Sequence, residues 1–408
     1  MAERLGSNER SLWSRILLAQ ESGLVLVIVL LMAVLTFMGG TKPRVDRVPL
    51  PESARVSQVE GGPITVVQGS ETSRFEPGDG WEYRGEGQGG TLIRRRQVNK
   101  FLDLDNLFLQ LVYASFIAVM AVGMTAVIAM GGIDLSIGSI YAASALFGAI
   151  ALHALQASAL GVPYDGPVTS AGGAGLASSL AVGVSVCCLV GAACGFLNGV
   201  MIVGLRVHPF IITLGTMAAL RGLVAIPTKA QSVGNFPEAF TRGFFKWSPG
   251  VNGINPVPVA VMVLTALGGA FVLGRTVLGR RVYAIGGNEV AAGYAGIPVG
   301  RVKIAVFTIM GALAGLSATL YLGYFGAAET AAGSGYELKV IAATVIGGAS
   351  LSGGRGTALG AVLGGLLIQL IDNGMVILNI DQNYNQIVMG AAIIIAVVLD
   401  QLKTRLLK

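Results

Sequence analysis

Apolar runs long enough to cross a bilayer recur along almost the whole chain, and no other feature constrains its fold as strongly. A helix needs roughly 17 to 25 mostly apolar residues to cross about 30 Å of hydrocarbon. Ten runs are read as spans: 22 to 39, 107 to 130, 137 to 157, 173 to 203, 209 to 226, 255 to 274, 303 to 322, 336 to 350, 356 to 371 and 385 to 400. The fifth, eighth and ninth are short or interrupted by glycine, so eight to eleven spans bracket the count. Only 12% of residues are charged and the mean hydropathy is +0.71, more apolar than the surface of a soluble domain allows. The expected fold class is all-α integral membrane, with about ten transmembrane helices. The first run follows a charged leader with Arg4, Arg10 and Arg15 and lacks a clean small-residue cleavage pattern, so it is read as a retained span behind a cytoplasmic segment, 1 to 21.

Lys and Arg in short loops orient the chain. The link between residues 275 and 302, extended to Lys303, carries Arg275, Arg280, Arg281, Arg301 and Lys303 against one acid, Glu289; the tail 403 to 408 carries Lys403, Arg405 and Lys408. Both are expected in the cytoplasm, and ten spans then put the amino terminus there too. Residues 40 to 105 form a polar insert of 66 residues with ten basic and ten acidic side chains, including Arg94, Arg95 and Arg96. Long segments translocate despite their charge, so it is assigned to the outside. Short runs such as PITVVQ and WEYRG suggest a small β-rich element; a solvated loop is the alternative.

Soluble-enzyme chemistry is poorly supplied. His153 and His208 lie far apart, and Cys187, Cys188 and Cys194 share one run, where packing as small residues accounts for them better than a metal site. No GxSxG, HExxH or GxxxxGK[ST] motif occurs. No enzyme activity, metal, cofactor or nucleic-acid partner is expected, and any ATP hydrolysis belongs on another chain.

Two apolar runs end in the same frame, GGxxLSxG: GGIDLSIG from Gly131 to Gly138 and GGASLSGG from Gly347 to Gly354. Paired glycines weaken a helix, and a freed backbone group at membrane depth must be satisfied by protein or line a cavity. Gly131, Gly132, Gly347 and Gly348 are therefore expected to break helices near a translocation path, with tight packing seams as the competing reading. Small residues at four-residue spacing follow each break, Gly138 and Ala142, then Gly356, Gly360 and Gly364, a pattern that lets helices approach closely. Asp134 costs about 2.5 to 3.5 kcal/mol inside a span unless partnered or wet. It is expected to cap the next helix together with Ser136, to face the path, or both. Ser350 takes the place of Asp134 in the second copy, with Ser352 in that of Ser136. Glu337 and Lys339, where the eighth span begins, are placed near its outer mouth or on a solvated helix start.

The cytoplasmic link reads LGRRVYAIGGNEVAAGYAGIPVGRVK: Arg280 and Arg281, a Gly286-Gly287-Asn288 break, then a short amphipathic helix from Glu289 to Ala295, through Ala291 and Ala292, closed by Gly296 and Pro298. Asn288 is placed to cap it, with Glu289 in the first turn where the helix dipole favours an acid. A short helix lying along the membrane surface is what a partner's groove could grip.

With these residues in hand, AMGGIDLSIGSI, GRRVYAIGGNEVAAGYAGIPV and GYELKVIAATVIGGASLSGGRGTALGAVLGGLL resemble the signatures of the permease subunits of bacterial monosaccharide ABC importers of the ribose type, over about residues 107 to 402. The resemblance implies a ten-helix fold shared with vitamin B12 permeases and a permease core at 106 to 402 in the cell inner membrane. It also implies a second permease, two cytoplasmic ABC ATPase subunits and an extracytoplasmic solute-binding protein, with the segment from Gly286 to Ile297 as the coupling helix on the ATPase. Relatives join their first two spans with a shorter link, so the insert is expected to contact the binding protein. Rival readings are an ABC permease for nucleosides, branched-chain amino acids or a furanose-like signalling molecule, and a secondary transporter. The last usually needs an intramembrane ion site, of which the spans offer little beyond Asp134. No cluster of aromatics and carboxylates in the sequence outlines a sugar pocket.

Overall fold

The apolar run near the amino terminus forms α1 (Gln20–Met38) in the computed structural model, which describes residues 20 to 58, 62 to 69, 71 to 85, 88 to 228, 231 to 246 and 255 to 406. The leader arginines Arg4, Arg10 and Arg15 lie outside these residues. The chain divides into two compact units, one of residues 32 to 107 and one of residues 108 to 406 with the first part of α1.

The polar insert is an antiparallel five-stranded sheet: β1 (Thr41–Gln58), β2 (Ile64–Gln68), β3 (Glu71–Phe75), β4 (Trp81–Arg84) and β5 (Gln88–Asn99), in the order β3-β2-β1-β5-β4. Its small core is Ala54, Ile64, Val66 and Leu92, flanked by Phe75, Trp81 and Tyr83. The register between β1 and β5 shifts between Leu50 and Arg55, at Pro51, which cannot donate to the ladder. The buried Asp103 carboxylate gathers Lys42 at 2.7 Å and Arg44, and Arg44 also reaches Asp46 at 2.7 Å. Burial pushes the Asp103 carboxyl up, but the Lys42 hydrogen bond and the charges on Lys42 and Arg44 outweigh it and hold it below the ordinary carboxylate range.

The helical unit contains α2 (Leu104–Ala129), α3 (Ile137–Leu160), α4 (Leu176–Leu205), α5 (Pro209–Thr228), α6 (Pro256–Arg275), α7 (Val277–Gly287), α8 (Glu289–Tyr294), α9 (Val299–Phe325), α10 (Tyr336–Ile346), α11 (Ala358–Ile377) and α12 (Asn385–Leu406). A helix covers each of the ten runs, but only eight in the described residues, α1 to α6, α9 and α11, are long and apolar enough to cross a membrane. The eighth run stops at Ile346 instead of residue 350, because the glycine frame ends it; 11 residues rise about 16 Å, half a bilayer. α12 runs on to Leu406, beyond the expected end of the last span.

Small residues set the helix packing. In α4, Gly191 and Gly195 lie against Gly311 and Phe307 of α9, so closely that a Cβ would overlap backbone oxygens of the other helix. Gly360 and Gly364 of α11 approach Gly347 and Ala343 in the same way. Residue numbers rise along one helix as they fall along the other in both pairs, so both are antiparallel. Similar contacts pair α3 with α4 (Gly148 with Cys187, Leu152 with Gly183) and α2 with α9 (Gly123 with Met310, and Ser317 Oγ donating to Phe116 O at 2.7 Å). In the absence of a membrane-sized hydrophobic drive between helices, close backbone contact at small residues is what holds such a bundle. Cys187 packs on Gly148 and is buried, the structural role its sequence context suggests.

Candidate functional site

Chaining those antiparallel contacts shows that α2 and α3 run in opposite directions. The frame from Gly131 to Gly138 is therefore a hairpin turn, as is the frame between α10 and α11. Each frame thus ends one helix and starts the next, as the separate runs on either side of it suggest, and the chain reverses between them. The reversal needs Gly131, at φ +85°, and Gly348, at φ +98°, a region that L side chains rarely adopt.

In the first turn Asp134 is fully buried. Its Oδ1 accepts from Ser136 N at 2.8 Å and Ser136 Oγ at 2.6 Å, and Ser136 Oγ accepts from Asn198 Nδ2 of α4 at 2.8 Å. Ser136 makes no side-chain cap to α3, so the expected joint cap is replaced by a short turn braced on a neighbouring helix. Asn198 was invisible as a partner because it lies 62 positions away. In the second turn Ser352 N donates to Ser350 Oγ at 3.4 Å, the counterpart of the bond from Ser136 N to Asp134. Gly353 N donates to Ser350 O at 2.9 Å, Ser350 is buried, Ser352 is exposed, and Gly354 N donates to Ala129 O, the last residue of α2, at 2.8 Å. Thr357 caps α11 by accepting from Gly360 N at 3.0 Å.

The link between residues 275 and 302 joins this contact. Gly286 lies against both turns: a Cβ there would overlap Ala129 O and stand 2.6 Å from Gly354 N, and Tyr283 Oη donates to Gly356 O at 2.7 Å. The two frames and the link thus meet at one backbone junction. Glu21, in the first turn of α1, accepts from Thr357 Oγ1 at 3.0 Å, so the start of α1 lies at the same end of the helical unit.

The link itself is more helical than its glycines suggest. Gly286 and Gly287 complete α7, which Thr276 caps through Gly279 N, so the break begins only at Asn288. Asn288 Oδ1 accepts from Ala291 N at 2.9 Å and caps α8, the role read from the sequence. α8 ends at Tyr294, and Gly296 turns out of it at φ +80°. Glu289 accepts from Lys303 Nζ at 2.6 Å. Ala292 faces inward and Ala291 outward, while Val290 and Tyr294, four residues apart, are 66% and 90% exposed. That apolar pair, not the alanines, is what α8 presents. Arg280 is exposed and reaches Arg275 O; Arg281 is half-buried. A cavity of about 690 Å³ lies beside α8, lined by Gly131, Gly132, Arg206, His208, Glu289 and Lys303.

A second group gathers on α2, α3, α9 and α10. The rings of Tyr141 and Tyr336 are 5.3 Å apart, those of Tyr141 and Tyr321 5.7 Å, and those of Tyr113 and Tyr324 5.9 Å. Glu337 borders this group, and Lys339 pairs with Asp372 of α11 at 2.6 Å, which Asn385 also holds at 2.7 Å. Arg221, inside α5, donates to Ala332 O at 2.8 Å. The bundle thus holds an aromatic and carboxylate cluster, and ionisable groups, that were not apparent in the sequence, because six helices, α2, α3, α5, α9, α10 and α11, contribute them one to three at a time.

The family model described as "Branched-chain amino acid transport system / permease component" matches residues 106 to 397. The chain is 37% identical to the ribose import permease protein of Escherichia coli over 308 residues, 74% of this chain and 88% of that protein. It is 38% identical to the D-allose transport system permease protein of Escherichia coli over 302 residues, covering 74% and 85%. With the autoinducer 2 import system permease protein LsrC of an Enterobacter species it shares 32% over 327 residues, covering 76% and 88%. No solved structure matches it.

Proposed function

Because this chain belongs to the family of branched-chain amino acid transport system permease components, we propose that it is the membrane subunit of an ATP-driven importer for a monosaccharide or a related small polar solute. It is a multi-pass inner-membrane protein and a transport subunit. Relatives named for ribose, allose and autoinducer 2 import support the sugar class over nucleosides or amino acids.

The observation that carries the mechanism is the junction of Ala129, Gly354 and Gly286. A push on α8 reaches both hairpins through backbone contacts that leave no slack, so it is transmitted as a rigid displacement. The exposed Val290 and Tyr294 suit a groove on a cytoplasmic ABC ATPase. Arg280, Arg281, Gly286, Gly287, Asn288, Glu289, Ala291, Ala292 and Gly296 build and position that coupling segment. Asp134, Ser136, Gly131, Gly132, Ser350, Ser352, Gly347 and Gly348 form or brace the turns that move with it. ATP binding closes the ATPase pair, and the path between two copies of this permease, or between it and a related one, alternates its opening.

The finer fold in this reading is the ten-helix arrangement of vitamin B12 permeases, with α10 as a half-length member and α12 as the last. The sheet lies outside the cell and contacts the extracytoplasmic solute-binding protein, and its compactness as a separate unit supports that role. Deletion of residues 45 to 95 then weakens binding-protein docking; unchanged docking and uptake count against it. The test of the whole reading is uptake of D-ribose and D-allose by vesicles holding this chain with its ATPase and binding protein. Accumulation requires ATP, and Tyr294→Asp abolishes ATPase co-purification. Uphill uptake by the purified chain alone overturns the proposal.

A further inference from the structure

The turn between α9 and α10, residues 331 to 335, folds back into the bundle and lies on the first residues of α3. Its fit there has no spare room. A Cβ on Gly138 would stand 2.5 Å from Gly333 O and would strike Glu337 Oε2, and a Cβ on Gly333, at φ +66°, would stand 2.7 Å from both Gly138 O and a Tyr141 ring carbon. Beneath the turn two polar atoms are fully buried without a partner, Tyr141 Oη and Glu337 Oε2. Buried polar atoms are nearly always bonded, so such a pair calls for a role beyond holding the fold.

The turn is fastened to α5 by Arg221 donating to Ala332 O, and the segment leading into it is fastened to the segment after α5 by the two-bond bridge between Val233 and Ala328. The chemistry under it suits a neutral polyol. A phenol hydroxyl donates and accepts, a carboxylate oxygen accepts from hydroxyls, and the faces of Tyr141, Tyr321 and Tyr336 offer apolar surface to a ring's C–H groups.

We propose that this turn is the cover of a solute contact site, and that Tyr141 Oη and Glu337 Oε2 bind hydroxyl groups of the transported solute once the turn lifts from Gly138. The proposal rests on the sugar-import reading and names residues that handle the solute within it. In the covered state shown, the two atoms face protein; in the uncovered state the solute satisfies both.

The experiment uses the assembled transporter in membrane vesicles, with D-ribose and D-allose as probes. Tyr141→Phe and Glu337→Gln each lower uptake kcat/KM at least tenfold, while ATPase stimulation by the loaded binding protein stays within twofold of wild type. Uptake unchanged in both variants, or uptake and ATPase stimulation falling in parallel, overturns the proposal. A second arm needs no transported sugar. In a chain with Cys187, Cys188 and Cys194 replaced by alanine, Glu337→Cys reacts with a membrane-impermeant maleimide at least tenfold faster in one of two states, nucleotide-free or vanadate-trapped, than in the other. Equal rates in both states overturn the cover. A wild-type complex that accumulates neither sugar counts against the sugar-import reading alone, and the labelling arm still judges the cover.

Discussion

Gly286→Ala is the substitution that most directly tests how the bundle is joined. A methyl group there overlaps Ala129 O and stands 2.6 Å from Gly354 N, both backbone atoms that cannot rotate away. Relief requires α7 to move off both hairpins. Overpacking of this kind costs about 1 to 3 kcal/mol. Parting the 2.8 Å bond between Gly354 N and Ala129 O adds about 1 to 3 kcal/mol if the two groups are left unpaired. The combined loss is about 2 to 6 kcal/mol. Gly287→Ala is the matched control: nothing lies within 4 Å of its added Cβ, and alanine favours helix over glycine by about 1 kcal/mol, so stability is held or slightly raised. Thermal unfolding of the detergent-solubilised chain measures both. ATP-driven uptake in vesicles measures whether the motor's push still arrives, and it is expected to collapse for Gly286→Ala only. If the two alanine variants unfold together and transport equally, the junction is not close-packed and does not carry the motion of α8 to the two hairpins.

Four further outcomes are expected. Ser136→Ala removes the two Oγ bonds, to Asp134 and from Asn198, while the backbone bond from residue 136 to Asp134 remains, and lowers stability by about 2 to 3 kcal/mol, read as an earlier unfolding midpoint, with Ser136→Thr recovering part of it. Gly311→Leu drives α9 off Gly191 and yields protein that aggregates on solubilisation, measured by size-exclusion chromatography. Lys303→Ala breaks an ion pair whose Glu289 partner is half exposed, so it changes stability by at most about 1 kcal/mol. Asp103 has a folded pKa below its unfolded value, so its contribution is fully present above about pH 4 and is lost as pH falls through the folded value. Protection factors for hydrogen exchange at β1 and β5, taken relative to the intrinsic rate at each pH, then fall at low pH in wild type, and Asp103→Asn shows reduced protection already at neutral pH.

Much of the site was legible locally. Asn288 reads as a helix cap because Asx before an acidic first turn carries its own geometry, and the structure gives it that bond. Gly360 and Gly364 read as a packing face because four-residue spacing puts them on one side of a helix, where Gly347 and Ala343 meet them. The paired glycines announce a change of backbone direction, yet not which one: a kink and a reversal share the same local signature. Gly286 and Gly287 read as a break but continue α7, since one is locked by its neighbours and the other lies at the helix end.

What the chain's own residues settled was its solvent and its segments. Hydrocarbon admits only backbone that bonds to itself, so apolar runs of sufficient length become helices wherever they occur, and the polar insert, lacking such runs, folds by pairing strands. Tertiary structure alone decided the meetings: Ser136 with Asn198 across 62 positions, Tyr283 with Gly356 across 73, Arg221 with Ala332 across 111. Such contacts depend on which helix faces lie together, a property of the packed bundle that no window along the chain contains.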